Sequence, residues 1–289
     1  MALAEKPSIL LTFDIEDWFQ VENFKSHIQF STWNSLELRV EKSTLRILDL
    51  LDFFSFKPRA TFFVLGWVAE KCPRLVREIS NRGHEVASHG YGHDLCPQLD
   101  KDLLIQDLHI SKALLEDITG KEVVGYRAPS FSINDEVLAL IQDAGYLYDA
   151  SYNSFEAHGR YGRLDLSNAP KNQGLYQLGE NFFELPVSNL SLFNHILPLG
   201  GGGYFRLIPF SMFQLGITAV LKKENAFVFY AHPWEFDPDQ PRVNLAELSL
   251  KFRHYVNLSR TKNKMEAMIR RFSSMNFKTA MGHIHSLYP

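Results

Sequence analysis

Two histidines, His89 and His93, stand four residues apart in Ser88-His89-Gly90-Tyr91-Gly92-His93. One histidine alone would ordinarily be structural. A pair at i, i+4 with carboxylates within reach is the pattern of a divalent-metal site. The interleaved glycines permit a tight turn and a close approach of backbone to a bound group. Carboxylates come from Asp14-Ile15-Glu16-Asp17, three acids that repel one another unless a cation or an arginine balances them. Residues two apart in extended chain share a face, so Asp14 and Glu16 converge. Such a cluster can supply both a metal ligand and a general base. Arg127, in Arg127-Ala128-Pro129-Ser130-Phe131, suits a bidentate lock on a carboxylate. His232, in His232-Pro233-Trp234-Glu235, titrates near neutral pH and suits a general acid. His84 falls inside an apolar run and is expected to be structural.

Each motif follows an apolar run of about four residues, the signature of a buried strand. Polar groups just beyond the strand ends form the active-site rim of an α/β barrel. The reading predicts strands over 8–13, 60–65, 84–88, 123–127, 146–149, 226–231 and near 277–280. Helices are expected over 36–54, 73–81, 209–223 and near 261–272. Two more carry explicit caps: Asp100 opens one that Gly120 stops after Thr119, and Asn134 opens one running to Ala144. Between Ser151 and Gly203 the helical pattern vanishes, and hairpins and long loops are expected. Alternating strands and helices give an α/β fold, a distorted (β/α) barrel of seven or eight strands with long inserted loops and hairpins.

With 289 residues, 45% of them hydrophobic, the chain can bury a substantial core. A net charge of −3 and scattered Lys and Arg give no nucleic-acid footprint. Cys72 and Cys96 are too few for a disulfide framework, which suits a reducing compartment. No signal peptide and no membrane span are read, so a cytoplasmic location is expected.

At these residues the chain resembles the polysaccharide deacetylases of carbohydrate esterase family 4. The order of the Thr-Phe-Asp strand end, Ser-His-x-x-x-His, Arg-x-Pro and a late strand ending in His carries the likeness over about Leu10–His232. Asp14–Trp18, Gly201–Arg206, His232–Glu235 with Asp237-Pro238, and Phe252-Arg253-His254-Tyr255 look like the subgroup linked to exopolysaccharide and exosortase loci. The resemblance implies a single catalytic domain over residues 1–289, with 233–289 a subgroup-specific C-terminal part. It implies a hydrolase that removes N-acetyl groups from amino sugars with a divalent metal, zinc, as cofactor. The partner is then an N-acetylated sugar, either polymer or a lipid- or nucleotide-linked precursor. Oligomeric state stays open.

By the same likeness His89 and His93 are metal ligands, Asp14 is the base, His232 the acid, and Arg127 orients Asp14. Typical members place a second Asp after the base; here that residue is Ile15, so Glu16 or Asp17 must supply the metal carboxylate. Glu16 shares the face of Asp14 and reaches further. The motif that orients the acid is also altered, with Asp149 its nearest counterpart. Trp18, Pro129, Phe131 and Trp234 are expected around the sugar, and N–H groups near Ser130-Phe131 at the oxyanion. Two alternatives are a related amidohydrolase on a small C–N substrate and a non-catalytic carbohydrate-binding component.

Overall fold

The computed structural model describes residues 6–155, 161–193, 195–244 and 247–289. Parts of the expected loop segment, residues 156–160 and 194, lie outside them. The strands are β1 (Ser8–Ile15), β2 (Ala60–Val64), β3 (Glu85–Ser88), β4 (Gly125–Tyr126), β5 (Tyr148–Asp149), β6 (Lys171–Asn172), β7 (Leu175–Gln177), β8 (Phe183–Glu184), β9 (Asn189–Leu192), β10 (His195–Pro198), β11 (Ala226–Ala231) and β12 (Asn276–Phe277). The helices are α1 (Val40–Asp52), α2 (Gly66–Lys71), α3 (Pro73–Asn81), α4 (Lys101–Thr119), α5 (Asp135–Asp143), α6 (Gly202–Leu207), α7 (Phe210–Glu224), α8 (Leu248–Tyr255), α9 (Leu258–Arg271) and α10 (Ala280–Leu287).

The main sheet runs β11-β1-β2-β3-β4-β5-β8-β7-β6, with β12 also on β1. It is parallel from β11 through to β8 and antiparallel at β8-β7-β6. All eight residues of β1 and all five of β2 are buried. Their near-continuous apolar character is what burial on both faces of a parallel sheet demands.

The result is a mixed α/β fold with a curled half-barrel sheet. Its far edges meet through side chains: Lys171 Nζ pairs with Glu224 Oε2 at 2.7 Å, and Asn225 Nδ2 donates to Gln173 Oε1 at 2.9 Å. Beside β11, Ser188 and Gly200, which flank the β9–β10 hairpin, stand in for a strand. Ser188 N donates to Val228 O, and Tyr230 N donates to Gly200 O. This is how the expected barrel is distorted.

Parallel strands all end at the same rim. Asp14, Ser88, Tyr126 and Ala231 lie at or next to strand C-termini there, so the polar motifs that follow them meet. The Asn134 side chain caps α5 by accepting from Val137 N, and Gly120 ends α4 at φ +64°. The region expected to be all loops and hairpins also holds the start of a helix, α6, in the glycine run.

Candidate active site

The site is built around a buried ion pair. Arg127 Nη1 donates to Asp14 Oδ1 at 2.7 Å and to Thr12 Oγ1 at 2.8 Å, while Nε donates to Ala150 O at 2.9 Å. The guanidinium lies 4.1 Å from the centre of the Phe63 ring. One Asp14 oxygen is thereby fixed; the other, Oδ2, faces His232 Nε2 at 3.9 Å.

Next to it, Glu16, His89 and His93 present ligand atoms within 4.8 Å of one another. His89 Nδ1 is 2.7 Å from Arg127 O. That bond orients the ring and turns Nε2 toward the cleft, as backbone carbonyls bonded to the far nitrogen of metal-bound histidines do. Burial, with His93 beside it, pushes the His89 imidazole down to about 4, which favours the neutral ring a metal ligand needs. Burial alone would lift Glu16, but His93, His232 and His89 outweigh it and hold the carboxyl well below the usual carboxylate range. Glu16 Oε2 stands 2.7 Å from His93 Nε2, and no donor other than that imidazole reaches this buried oxygen. Two imidazoles and a buried carboxylate whose ligand atoms converge fit a divalent cation with open positions. His93 itself sits at φ +57°; Ser130 (+54°) and Phe131 (+58°) also line the cleft. Left-handed backbone at non-glycine residues concentrates at functional sites.

The opposite wall is His232. Its Nδ1 is 2.9 Å from Glu235 Oε1, and Nε2 points into the cleft, 3.5 Å from Glu16 Oε1. Burial would depress this imidazole, but Glu16, Glu235 and Asp14 raise it to about 9. Glu235 is in turn held by Arg206 Nε at 2.7 Å. Arg206 also donates to the carbonyls of Arg253, His254 and Val256, tying α6 to α8. A Cβ at Gly202 would strike the Glu235 carboxylate, so the glycine lets α6 approach the acid. Trp234 is stacked between His232 (5.0 Å, 16°) and His254 (4.1 Å, 12°), and its Nε1 donates to Glu16 Oε1 at 3.1 Å.

Asp14, Glu16, His89, His93, Phe131, His232 and Trp234 therefore share one cleft of about 90 Å³, with Val21, Glu22, Asn23 and Ser130 completing its walls. Other expected residues lie elsewhere. Asp17 turns away: Oδ1 accepts from Trp18 N, and Oδ2 from Arg39 N and Val40 N at the start of α1. Trp18 is buried against Phe19 with its Nε1 bonded to Glu37 O, so it is core. Pro129 is buried in the short turn that follows β4. Phe131 N donates to Ala128 O, which removes it as an oxyanion donor. Asp149 bonds to Ser151 rather than to the acid histidine. His84 is buried, as expected, with Nδ1 accepting from Ala60 N. Sequence reasoning missed Glu235 and Arg206. Glu235 had a signal, an acid three residues after His232 in a turn; Arg206, 29 residues upstream of Glu235, stood only as the end of the Gly201–Arg206 motif, with nothing to link it to His232.

Curled, largely parallel sheet and rim cleft together define the class, a mixed α/β half-barrel with its polar groups at the strand C-termini. The polysaccharide deacetylase family model matches residues 3–148, just over half of the chain, and a domain of unknown function (DUF3473) matches residues 150–282. The chain belongs to the polysaccharide deacetylase family. A peptidoglycan deacetylase-like protein of Gibberella zeae is 35% identical over 116 residues, 40% of this chain and 34% of that protein. A peptidoglycan-N-acetylglucosamine deacetylase of Bacillus cereus is 33% identical over 103 residues, 36% and 47%. The chain thus spans between a third and a half of these relatives' length. A Mycobacterium smegmatis structure assigned as a polysaccharide deacetylase superposes with a TM-score of 0.62 at 20% identity, covering 98% of this chain and 91% of that one. The allantoinase PuuE superposes at 0.58 with 14% identity, covering 95% and 87%. Those two likenesses establish the fold alone.

Proposed function

We propose that this chain is a metal-dependent N-deacetylase of amino sugars. The observation that carries the reading is the convergence on one cleft of an arginine-locked Asp14, the Glu16-His89-His93 group and an opposed His232. Glu16, His89 and His93 would hold the cation, which we take to be zinc. Such an ion supplies Lewis-acid polarisation of the acetyl carbonyl. Asp14, with one oxygen fixed by Arg127, takes the proton of the attacking water on the other. His232, its Nδ1 braced by Glu235 and its Nε2 facing the cleft, protonates the departing sugar amine. Glu235 and Arg206 fix the ring that does so. Phe131 and Trp234 flank the acetamido group. The likeness to the subgroup at exopolysaccharide and exosortase loci belongs to the same proposal.

The test is acetate release from a panel of N-acetylhexosamine substrates, with chelator and with added Zn²⁺. Asp14→Asn should lose on the order of 10²–10⁴-fold in turnover, the usual worth of a positioned acid or base. His89→Ala should lose bound metal. Release that ignores both the chelator and Asp14→Asn would overturn the proposal. Metal bound with no release from any sugar would move the assignment to an amidohydrolase or a binding protein.

A further inference from the structure

Glu22 is the third carboxylate lining the catalytic cleft, beside Asp14 and Glu16. Those two are balanced. Arg127 donates to Asp14 at 2.7 Å, and the His93 and His232 rings stand 2.7 and 3.5 Å from Glu16. Glu22 Oε2, by contrast, is buried and accepts no hydrogen bond. Lys25 Nζ lies 3.9 Å from it, beyond hydrogen-bond reach, and donates to Asp94 Oδ1 at 3.1 Å instead. Glu22 also falls outside the Glu16-His89-His93 group, so metal ligation gives this oxygen no partner. A buried acceptor without a donor costs free energy, more so when charged, and native structures keep few of them.

The position is built from both halves of the chain. Glu22 opens a single turn, Glu22–Phe24, in the segment between β1 and α1. Phe24 is fully buried and packs on His254 at 4.7 Å and on Tyr255 at 6.3 Å. His254 stacks on Trp234 at 4.1 Å, and Trp234 on His232 at 5.0 Å. One run of rings therefore fixes both the turn that carries Glu22 and the wall that carries the proposed acid. A carboxylate two residues from such an anchor is in place before substrate arrives, which lowers the cost of binding.

The cleft is small, about 90 Å³, well under the roughly 300–1,000 Å³ of sites that enclose a whole ligand. It admits the acetamido group and the adjoining edge of one ring. A donor that reaches Glu22 thus belongs to the sugar whose amide is cleaved. On a neutral N-acetylhexosamine the donors apart from the reacting amide are ring hydroxyls. We propose that Glu22 is a specificity residue whose Oε2 accepts one ring hydroxyl of the acetamido sugar. The inference rests on the deacetylase reading and narrows its substrate class to amino sugars with that hydroxyl free. A sugar etherified or esterified there leaves the carboxylate buried and unpaired, and is refused. Sites built to hydrogen-bond a substrate hydroxyl discriminate strongly against the analogue that lacks it.

The test is a cycle of enzyme and substrate changes on the full chain. Methyl glycosides of N-acetylglucosamine and of its 3-, 4- and 6-deoxy forms are given to wild type, Glu22→Gln and Glu22→Ala. Acetate release and, by calorimetry, binding are measured. One deoxy sugar should lose about 10- to 100-fold in kcat/KM with wild type, the worth of a hydrogen bond to a charged group. Glu22→Ala should lose as much on the parent sugar and almost nothing more on that deoxy sugar. Glu22→Gln, which keeps an acceptor oxygen, should fall between, with bound metal unchanged in both variants. Equal losses in Glu22→Ala on the parent and on all three deoxy sugars would overturn the inference. So would loss of metal in Glu22→Gln, which would make Glu22 a ligand. Binding of the parent sugar that Glu22→Ala and one deoxy change weaken alike, without acetate release from any sugar, would keep the hydroxyl contact and sink the deacetylase reading. Neither binding nor release by wild type would overturn both.

Discussion

Up to Asp149 the strands pair only in parallel, led by the long and fully buried β1 and β2; beyond it, strands of two to four residues form antiparallel hairpins until β11. The two family matches change over at the same place, residues 148 and 150. The first region carries Asp14, Arg127 and the Glu16-His89-His93 group; the second carries His232 and its Glu235-Arg206 bracket. The Arg127–Asp14 pair and the Glu16-His89-His93 group thus stand at the ends of β1, β3 and β4, while the proposed proton donor His232 follows β11 and is braced by groups from the later, hairpin-rich region.

The most damaging way to break this contrast is at Arg127, which bonds Asp14 and Thr12 on one side and Ala150 across the changeover. Arg127→Met strands the buried Asp14 charge, and removing one partner of such a pair costs roughly 3–5 kcal/mol. Urea denaturation should show that loss together with lost turnover. A variant that unfolds within about 1 kcal/mol of wild type would mean that Asp14 is stabilised by something else.

His84 probes the first region alone. Its folded value of about 4 lies below the ordinary 6.5, because burial and then the Arg59 charge disfavour the imidazolium. The fold prefers the neutral ring, whose Nδ1 accepts from Ala60 N. Its contribution is therefore complete above about pH 6.5 and is lost as pH falls through 4, up to about 3 kcal/mol. Subtracting the stability–pH curve of His84→Phe from that of wild type isolates the slope, and a flat difference between pH 4 and 6.5 would refute it.

The second region is tested at Glu235. Glu235→Gln keeps the shape but removes the charge that holds His232 and neutralises Arg206. By analogy with outer partners of metal-bound histidines, kcat should drop about 10- to 100-fold. The loss should shrink on substrates whose amine leaves without protonation, which a merely structural defect would not do. Equal losses on both kinds of substrate would count against the bracket.

How much of this could be read from the chain follows the same division. Asp14, His89, Arg127 and His232 are legible because each ends a run apolar enough to be buried on both faces, and the parallel register brings all four to one rim. Short strands such as β6 and β8 are too brief to show any period. The glycines at 200–203 look like a loop, yet Gly202 opens α6, because the packing of α6 on Glu235 is a tertiary constraint that no local propensity carries. The role of Arg206 is set by contacts 29 to 50 residues away, beyond any spacing argument.

The smallest expected effect decides between the two candidate carboxylates. Asp17 accepts from Arg39 N at 2.7 Å and Val40 N at 2.8 Å, satisfying the first amides of a helix whose own N-cap residue offers no side-chain bond. Burial lifts its carboxyl to about 6 even though three N–H groups pull it down. Asp17→Asn retains a single acceptor oxygen for these donors. It should cost about 1 kcal/mol, the usual worth of a cap, and lower Tm by a few degrees. Bound metal and kcat should stay at wild-type values, whereas Glu16→Gln should lose metal. A Tm left unmoved by Asp17→Asn, with metal affinity down tenfold, would reverse the two assignments and place the cation on the far side of Glu16.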